Sequence, residues 1–306
     1  RQVIKVFNSW KEEKMNNNKE KDMDKILGMN RTMFFVIVIL LCLLSLSIGI
    51  YAQLFYKYSD TDPFMLGIGI GKTQDAAEIT KLKNEFSTGK IFTNNISGSS
   101  TSSNIKKKNQ AKEIVWTYNT TTKNEPEKYN IVAAIPQINI NSTEAERINS
   151  QIQTAYIDKI ESIMENSKEF TDYSVAYKAY LNGDLLSLII KETIHEGSTT
   201  QSAKIKTYNY NLNNNTQVSI NDIIKAKGYK SEDLQKEINT EIERLNKNDE
   251  DLKNQYSDMK LRDLNDKKYK IENTENFIIN QDGYFYIIYA YGNIENTNKM
   301  DIVIFE

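Results

Sequence analysis

The chain has 306 residues, of which 39 are basic and 41 acidic, giving a net charge of −2. That balance argues against nucleic-acid binding through a diffuse basic surface. A lone cysteine, Cys42, excludes a disulfide framework, and a lone histidine, His195, leaves no His/Cys set for a metal.

The first 32 residues carry Arg1, Lys5, Lys11, Lys14, Lys19, Lys21, Lys25 and Arg31. Val3, Val6, Phe7 and Trp10 can form one apolar helix face, and Met15 is an alternative start. Met33 to Ala52 follows as MFFVIVILLCLLSLSIGIYA, without charge, proline or amide. A bilayer core needs roughly 20 such residues as a helix, so 33–52 is expected to be a single transmembrane helix. Basic residues stay cytoplasmic. The tail is therefore expected inside and everything beyond residue 52 outside, with Tyr51, Phe55, Tyr56 and Tyr58 at the outer aromatic belt. A cleaved signal peptide ending at Ala52 is the rival reading. The basic lead and the apolar run are both longer than such peptides usually carry. With the tail set aside, 31 basic and 36 acidic residues remain, near −5 for the outer part. That sign weakly favours a cationic partner.

Residues 53–111 read as a stalk. Thr73 to Phe86 can form one helix with Ile79, Leu82 and Phe86 on a face, while Asn94 to Ser103 and Lys106-Lys107-Lys108 read as flexible linker. Gly67-Ile68-Gly69-Ile70-Gly71-Lys72-Thr73 imitates a phosphate-binding loop, but Leu66 stands where that motif needs glycine. Ordered structure is expected from about residue 112. Ile114 to Tyr118 and Tyr129 to Ile140 read as strands, and Pro136 places the second at an edge or at a bulge. Thr143 to Asn166 is the clearest helix, with Thr143 and Glu146 as a capping box and Ile148, Ile152, Tyr156, Ile160 and Ile163 inward.

Tyr173 to Leu181 and Leu185 to Ile194 form a hairpin about Asn182-Gly183. Lys204 to Leu212 and Gln217 to Ile220 form strands about Asn213-Asn214-Asn215. Asn221 or Asp222 can cap Ile223 to Ala226. Ser231 to Leu245 reads as a second amphipathic helix with Leu234, Ile238, Ile242 and Leu245 inward, followed by a polar stretch from Asn246 to Lys270. Asn276 to Ile279, Tyr284 to Tyr291 and Asp301 to Phe305 read as closing strands. The middle one is apolar on both faces, as a central strand is. The fold class expected is α+β, two amphipathic helices on antiparallel sheet, with an N-terminal part at 112–212 and a C-terminal part at 213–306.

No catalytic, cofactor or metal residues are assigned. His195, at the end of an apolar strand, reads as structural. Asp249-Glu250-Asp251 lacks calcium-loop spacing and reads as a solvated turn. Asn-x-Ser/Thr triplets at Asn95, Asn119 and Asn141 carry little information in so asparagine-rich a chain. Tyr173, Tyr177, Tyr208, Tyr210, Tyr284 and Tyr286 are candidate binding-surface aromatics, with sheet packing as the competing role.

Tyr129 to Ile138 (YNIVAAIPQI), the helix from Thr143, Thr207 to Ile224 (TYNYNLNNNTQVSINDII) and Asn276 to Gly292 (NFIINQDGYFYIIYAYG) together resemble the outer region of RsiV-like anti-sigma factors. They are also similar to the accessory region of the peptidoglycan deacetylase PdaC, whose catalytic domain this chain lacks. The resemblance covers about residues 112–306. It implies a single-pass envelope protein of Gram-positive bacteria that binds lysozyme outside and a sigma factor inside. Binding would expose the region near Ile50 and Ala52 to signal peptidase, and a second protease cutting within the membrane would free the sigma factor. The alternative expectation is an anchored peptidoglycan- or protein-binding module with no signalling partner. A hydrolase on the outer face is a third, weaker one.

Overall fold

A computed structural model describes residues 25–26, 29–30, 73–103, 105–199, 201–255, 261–290 and 300–306. The apolar span 33–52, the cleavage region at Ile50 and Ala52, the aromatic belt, the glycine stretch before Thr73 and nearly all of the tail lie outside the described residues. Among the described residues, no helix is long and apolar enough to cross a membrane. The chain divides into two compact units, residues 1–73 and 74–306. In the first, β1 (Lys25–Ile26) pairs antiparallel with β2 (Met29–Asn30).

The second unit begins with helix α1 (Thr73–Ser87), a short 3-10 turn over Lys90–Phe92 and strand β3 (Ile96–Ser99). Strands β4 (Val115–Glu125) and β5 (Tyr129–Ile138) follow, then helix α2 (Thr143–Asn166). Next come β6 (Thr171–Asn182), β7 (Leu185–Glu196), β8 (Ser202–Asn211) and β9 (Thr216–Gln217). Helices α3 (Ile220–Lys227) and α4 (Ser231–Gln255) lead to β10 (Asn276–Ile279), β11 (Phe285–Ala290) and β12 (Met300–Phe305).

The larger sheet runs β4-β5-β6-β7-β8-β9, with β3 also on β6. It is mixed, which corrects the antiparallel expectation. Tyr129–Ala133 of β5 pairs parallel with Thr171–Val175 of β6, because α2 carries the chain back over the sheet as a crossover must. Farther along the same edge of β6, β3 pairs parallel with Ala179 to Asn182. Under this sheet, Ile148, Ile152, Tyr156, Ile160 and Ile163 of α2 pack on Ile131, Ile135, Tyr173, Tyr177 and Leu188. The buried Asn149 amide both donates to the Ile138 carbonyl and accepts from the Ile138 N–H. A register shift between Thr117 and Asn119 lies opposite Pro136. The bulge itself is at Tyr118 of β4, and Pro136 sits opposite it, beyond the Tyr129–Ala133 stretch by which β5 pairs with β6.

The caps differ from expectation by one to three residues. Ser142, not Thr143, caps α2, its Oγ accepting from the Ala145 N–H, and Glu146 instead meets Lys108 at 2.9 Å. Ser219 caps α3, with Asp222 as its reciprocal partner in a capping box. At the hairpin, Asn182 still pairs with Leu185, so the turn is Gly183-Asp184, with Gly183 at φ +58 supplying the positive dihedral.

The smaller sheet, β10-β11-β12, has β11 at its centre with Phe285 to Tyr289 buried on both faces. One face packs on Leu234, Ile238 and Ile242 of α4 and on Ile220, Ile223 and Ile224 of α3. A polar seam joins β10 to the larger sheet. The Phe277 N–H donates to Thr207 Oγ1, the Ile279 N–H to Ser187 Oγ, and Asn209 Nδ2 to the Phe277 carbonyl. Side chains thus satisfy the edge of β10 that no described strand covers.

The expected stalk belongs to this unit from residue 74 onward. Leu82 and Phe86 of α1 pack against Tyr180, Ile189, Ile278, Tyr286, Ile288, Ile302 and Ile304, drawn from both sheets. Lys83 of α1 reaches Glu241 of α4 at 2.7 Å. The serine-rich linker following α1 docks because β6 offers an open edge. The Ala179 N–H donates to the Asn95 carbonyl, and Ser100 Oγ and the Thr101 N–H both donate to the Gly183 carbonyl. Gly98, at φ +85, lies so close to β6 that a Cβ would stand 2.0 Å from the Leu181 carbonyl oxygen. The flexible linker expected over 94–103 is therefore corrected, since it docks on β6 as β3.

Candidate functional site

Five of the six tyrosines expected on a binding surface are buried. Tyr173, Tyr177, Tyr208 and Tyr210 lie in the core beneath α2, and Tyr286 lies in the cluster that receives α1. Tyr284 is half-buried at the start of its strand. Tyr177 Oη is 2.8 Å from Thr117 Oγ1, and the Tyr210 hydroxyl donates to Asn215 Oδ1. Burial, together with the charge of Glu192, pushes the Tyr173 phenol well above its ordinary range. These side chains pack the sheets, and the alternation of β6 and β8 places them inward.

Asp249 is also resettled. Helix α4 runs ten residues past Leu245, so Asp249 lies within it instead of in a solvated turn. There its carboxylate accepts from Arg262 Nη1 at 2.7 Å. Arg262 also grips Asp301 of β12 through Nε and Nη2 at 2.6 and 2.8 Å, and both residues are buried. Burial pushes the Asp301 carboxyl up while Arg262 holds it down. A buried bidentate pair of this kind fixes geometry. His195 is half-buried opposite Asp172 at the end of the β6–β7 ladder. Among the described residues, no group of three or more His, Cys, Asp or Glu gathers as a metal site.

An exposed aromatic patch lies on β4. Among the described residues this strand pairs only with β5, leaving its other edge open. Along it the even-numbered residues are the more exposed, and Tyr118 is 46% exposed. Tyr118 meets Trp116 edge to face at 6.0 Å, and Lys112 Nζ stands 4.4 Å over the Trp116 ring. Val132, on β5 opposite Thr122, is 51% exposed. Tryptophan and tyrosine held rigidly on a strand are the side chains that most often anchor a protein partner, and the cation over the indole keeps one face of it polar. The alternation of Val115-Trp116-Thr117-Tyr118 carried this signal in the sequence, since it sets Val115 and Trp116 on opposite faces. The abundance of tyrosine elsewhere obscured it.

A second feature is an open groove of about 460 Å³ beside the hairpin tips. Asn182, Asp184, Asn211, Thr216, Gln217 and Lys227 line it together with apolar residues of α3.

No protein family's sequence profile matches the chain, and no curated protein matches it. The chain is similar to a DUF3298 family protein from Pseudomonas aeruginosa. The identity is 10%, over 62% of this chain and 86% of that one, with a TM-score of 0.38.

Proposed function

We propose that the chain is a single-pass, membrane-anchored sensing protein of the RsiV-like kind. Its outer module binds lysozyme or another cell-wall-directed protein, and its inner tail restrains a sigma factor. The observation that carries the outer half of this reading is the Trp116–Tyr118 pair on the open edge of β4. The acidic balance beyond residue 52 favours a cationic partner. The anchor rests on the apolar run 33–52 and the basic residues before it.

The test is a pull-down of the full chain in detergent with lysozyme at physiological salt. Saturable binding that falls by about 30-fold or more in Trp116→Ala supports the reading, the loss of about 2 kcal/mol expected of an interface anchor. Binding unchanged in Trp116→Ala and Tyr118→Ala removes β4 as the site. No binding at all removes the lysozyme reading.

The second reading is an anchored module for peptidoglycan with no partner inside. The groove favours it, because amide donors and acceptors beside the Asp184 and Asp222 carboxylates in an open cleft suit the hydroxyls of a glycan. Sedimentation of the full chain with purified cell walls but not with lysozyme would select it.

A further inference from the structure

Between α1, β3 and the ends of β6, β10 and β11 lies a cavity of about 290 Å³. Lys178 lines it and is 4% exposed. A buried ammonium is expensive unless it is paired. Among the described residues, no carboxylate lies within ion-pair distance of Lys178. Its Nζ donates instead to two neutral acceptors of the docked linker, the Asn94 carbonyl at 2.6 Å and Ser97 Oγ at 2.5 Å. An ammonium has three donors, so one is left over. Burial draws its proton affinity down.

Beside it is Tyr180, 6% exposed, whose ring centroid is 5.3 Å from Lys178 Nζ. Its hydroxyl makes no hydrogen bond with a described residue. The Tyr286 phenol, also buried, lines the same cavity. Burial pushes both phenols up, so both remain protonated donors at neutral pH. Glu85 and Lys90 complete the charged lining. The cavity therefore gathers an ammonium N–H and a phenol O–H that no described residue takes up, beside one carboxylate that can accept from an amide N–H.

We propose that this cavity binds a small carboxylate ligand, of which the free C-terminus of a short peptide is the best match, with Lys178 as its charge partner and Tyr180 as its second donor. The carboxylate supplies the anion that Lys178 lacks, and a peptide N–H can donate to Glu85. The volume admits a ligand of about two residues. The site is distinct from the β4 edge, so it stands or falls without reference to lysozyme.

Titration calorimetry on the full chain in detergent compares acetyl-alanyl-alanine with its C-terminal amide, and with glucuronate as a sugar carboxylate. The dipeptide acid should bind saturably, and the amide about tenfold or more weaker, as the loss of a charge-assisted pair implies. Tyr180→Phe keeps the ring and should weaken the acid by about fivefold, the worth of one hydrogen bond. Lys178→Gln should abolish the preference for acid over amide. Stronger binding of glucuronate would retain the carboxylate site and replace the peptide as its ligand. Equal binding of acid and amide, or no saturable binding of either carboxylate, overturns the proposal on the unaltered protein, whether or not the variants fold.

Discussion

Single residues carry much of this fold, and Gly98 is the sharpest case. Its positive φ and its contact with the Leu181 carbonyl leave no room for a methyl group. Gly98→Ala should strip β3 from β6 while α2 and its sheet stay folded. Hydrogen exchange would show protection lost over residues 94–101 and kept over β7 and β8. Arg262 is the second case. Replacing it by alanine strands Asp301 as a buried, unpaired carboxylate and should cost about 3–5 kcal/mol in urea denaturation. Glu241 links residue chemistry to pH. Burial would push its carboxyl up, but the hydrogen bond from Arg244 and the charges of Lys83 and Arg244 outweigh that and hold it below its ordinary range. For Lys83 the balance goes the other way, burial drawing the ammonium down against the pull of Glu241. An acid with a depressed folded pKa stabilises the native state above its unfolded pKa. The stabilisation is lost as pH falls below about 4. Melting temperatures measured from pH 7 to pH 3 should therefore fall less steeply in Glu241→Gln than in the unaltered chain.

At the scale of elements, helices with a strong apolar period were legible and weakly patterned segments were not. Ile148, Ile152, Tyr156, Ile160 and Ile163 announced α2, and all five are buried. Asn276 to Ile279 and the doubly apolar Phe285 to Tyr289 announced the smaller sheet with its centre in place. β3 could not be read, because Ile96-Ser97-Gly98-Ser99 has neither alternation nor β-branched density. Its strand state is imposed by a vacant length of β6 edge. The extension of α4 past Leu245 was hidden for a related reason. Asn246 and Asp249 face Arg262 across the fold, so the last turns are polar yet occupied. The tyrosines misled because a strand with one buried face and a strand with two look alike when tyrosine fills both. Helix α1 was readable as a helix but not as a docked one. Leu82→Ala should cost about 2–5 kcal/mol, the range for a buried leucine, if the helix is integral. A free stalk helix would show almost no change in the same denaturation curve.

For the whole molecule, the compact unit begins at residue 74, ahead of the 112 expected for the folded module. A fragment starting at residue 112 loses α1 and β3 and uncovers Tyr180, Ile189, Ile278, Tyr286, Ile302 and Ile304. An exposed apolar face of that kind promotes association. Light scattering should find residues 112–306 aggregated or oligomeric under conditions where residues 74–306 remain monodisperse. The seam of Ser187, Thr207 and Asn209 makes the two sheets one unit, not independent parts. Asn209→Ala leaves the Phe277 carbonyl without its buried donor, and should lower stability by about 1–3 kcal/mol in a single cooperative transition.

The chain has two tryptophans, Trp10 and Trp116. With Trp10 replaced by phenylalanine, all indole emission would come from the half-buried ring at the centre of the β4 patch. The buried tyrosines would serve as donors of excitation energy to it. A partner seated on the patch would drive water from that ring and move its emission to shorter wavelength. A ligand confined to the cavity of Lys178 would leave the spectrum where it was, so fluorescence alone would tell which of the two places had been filled.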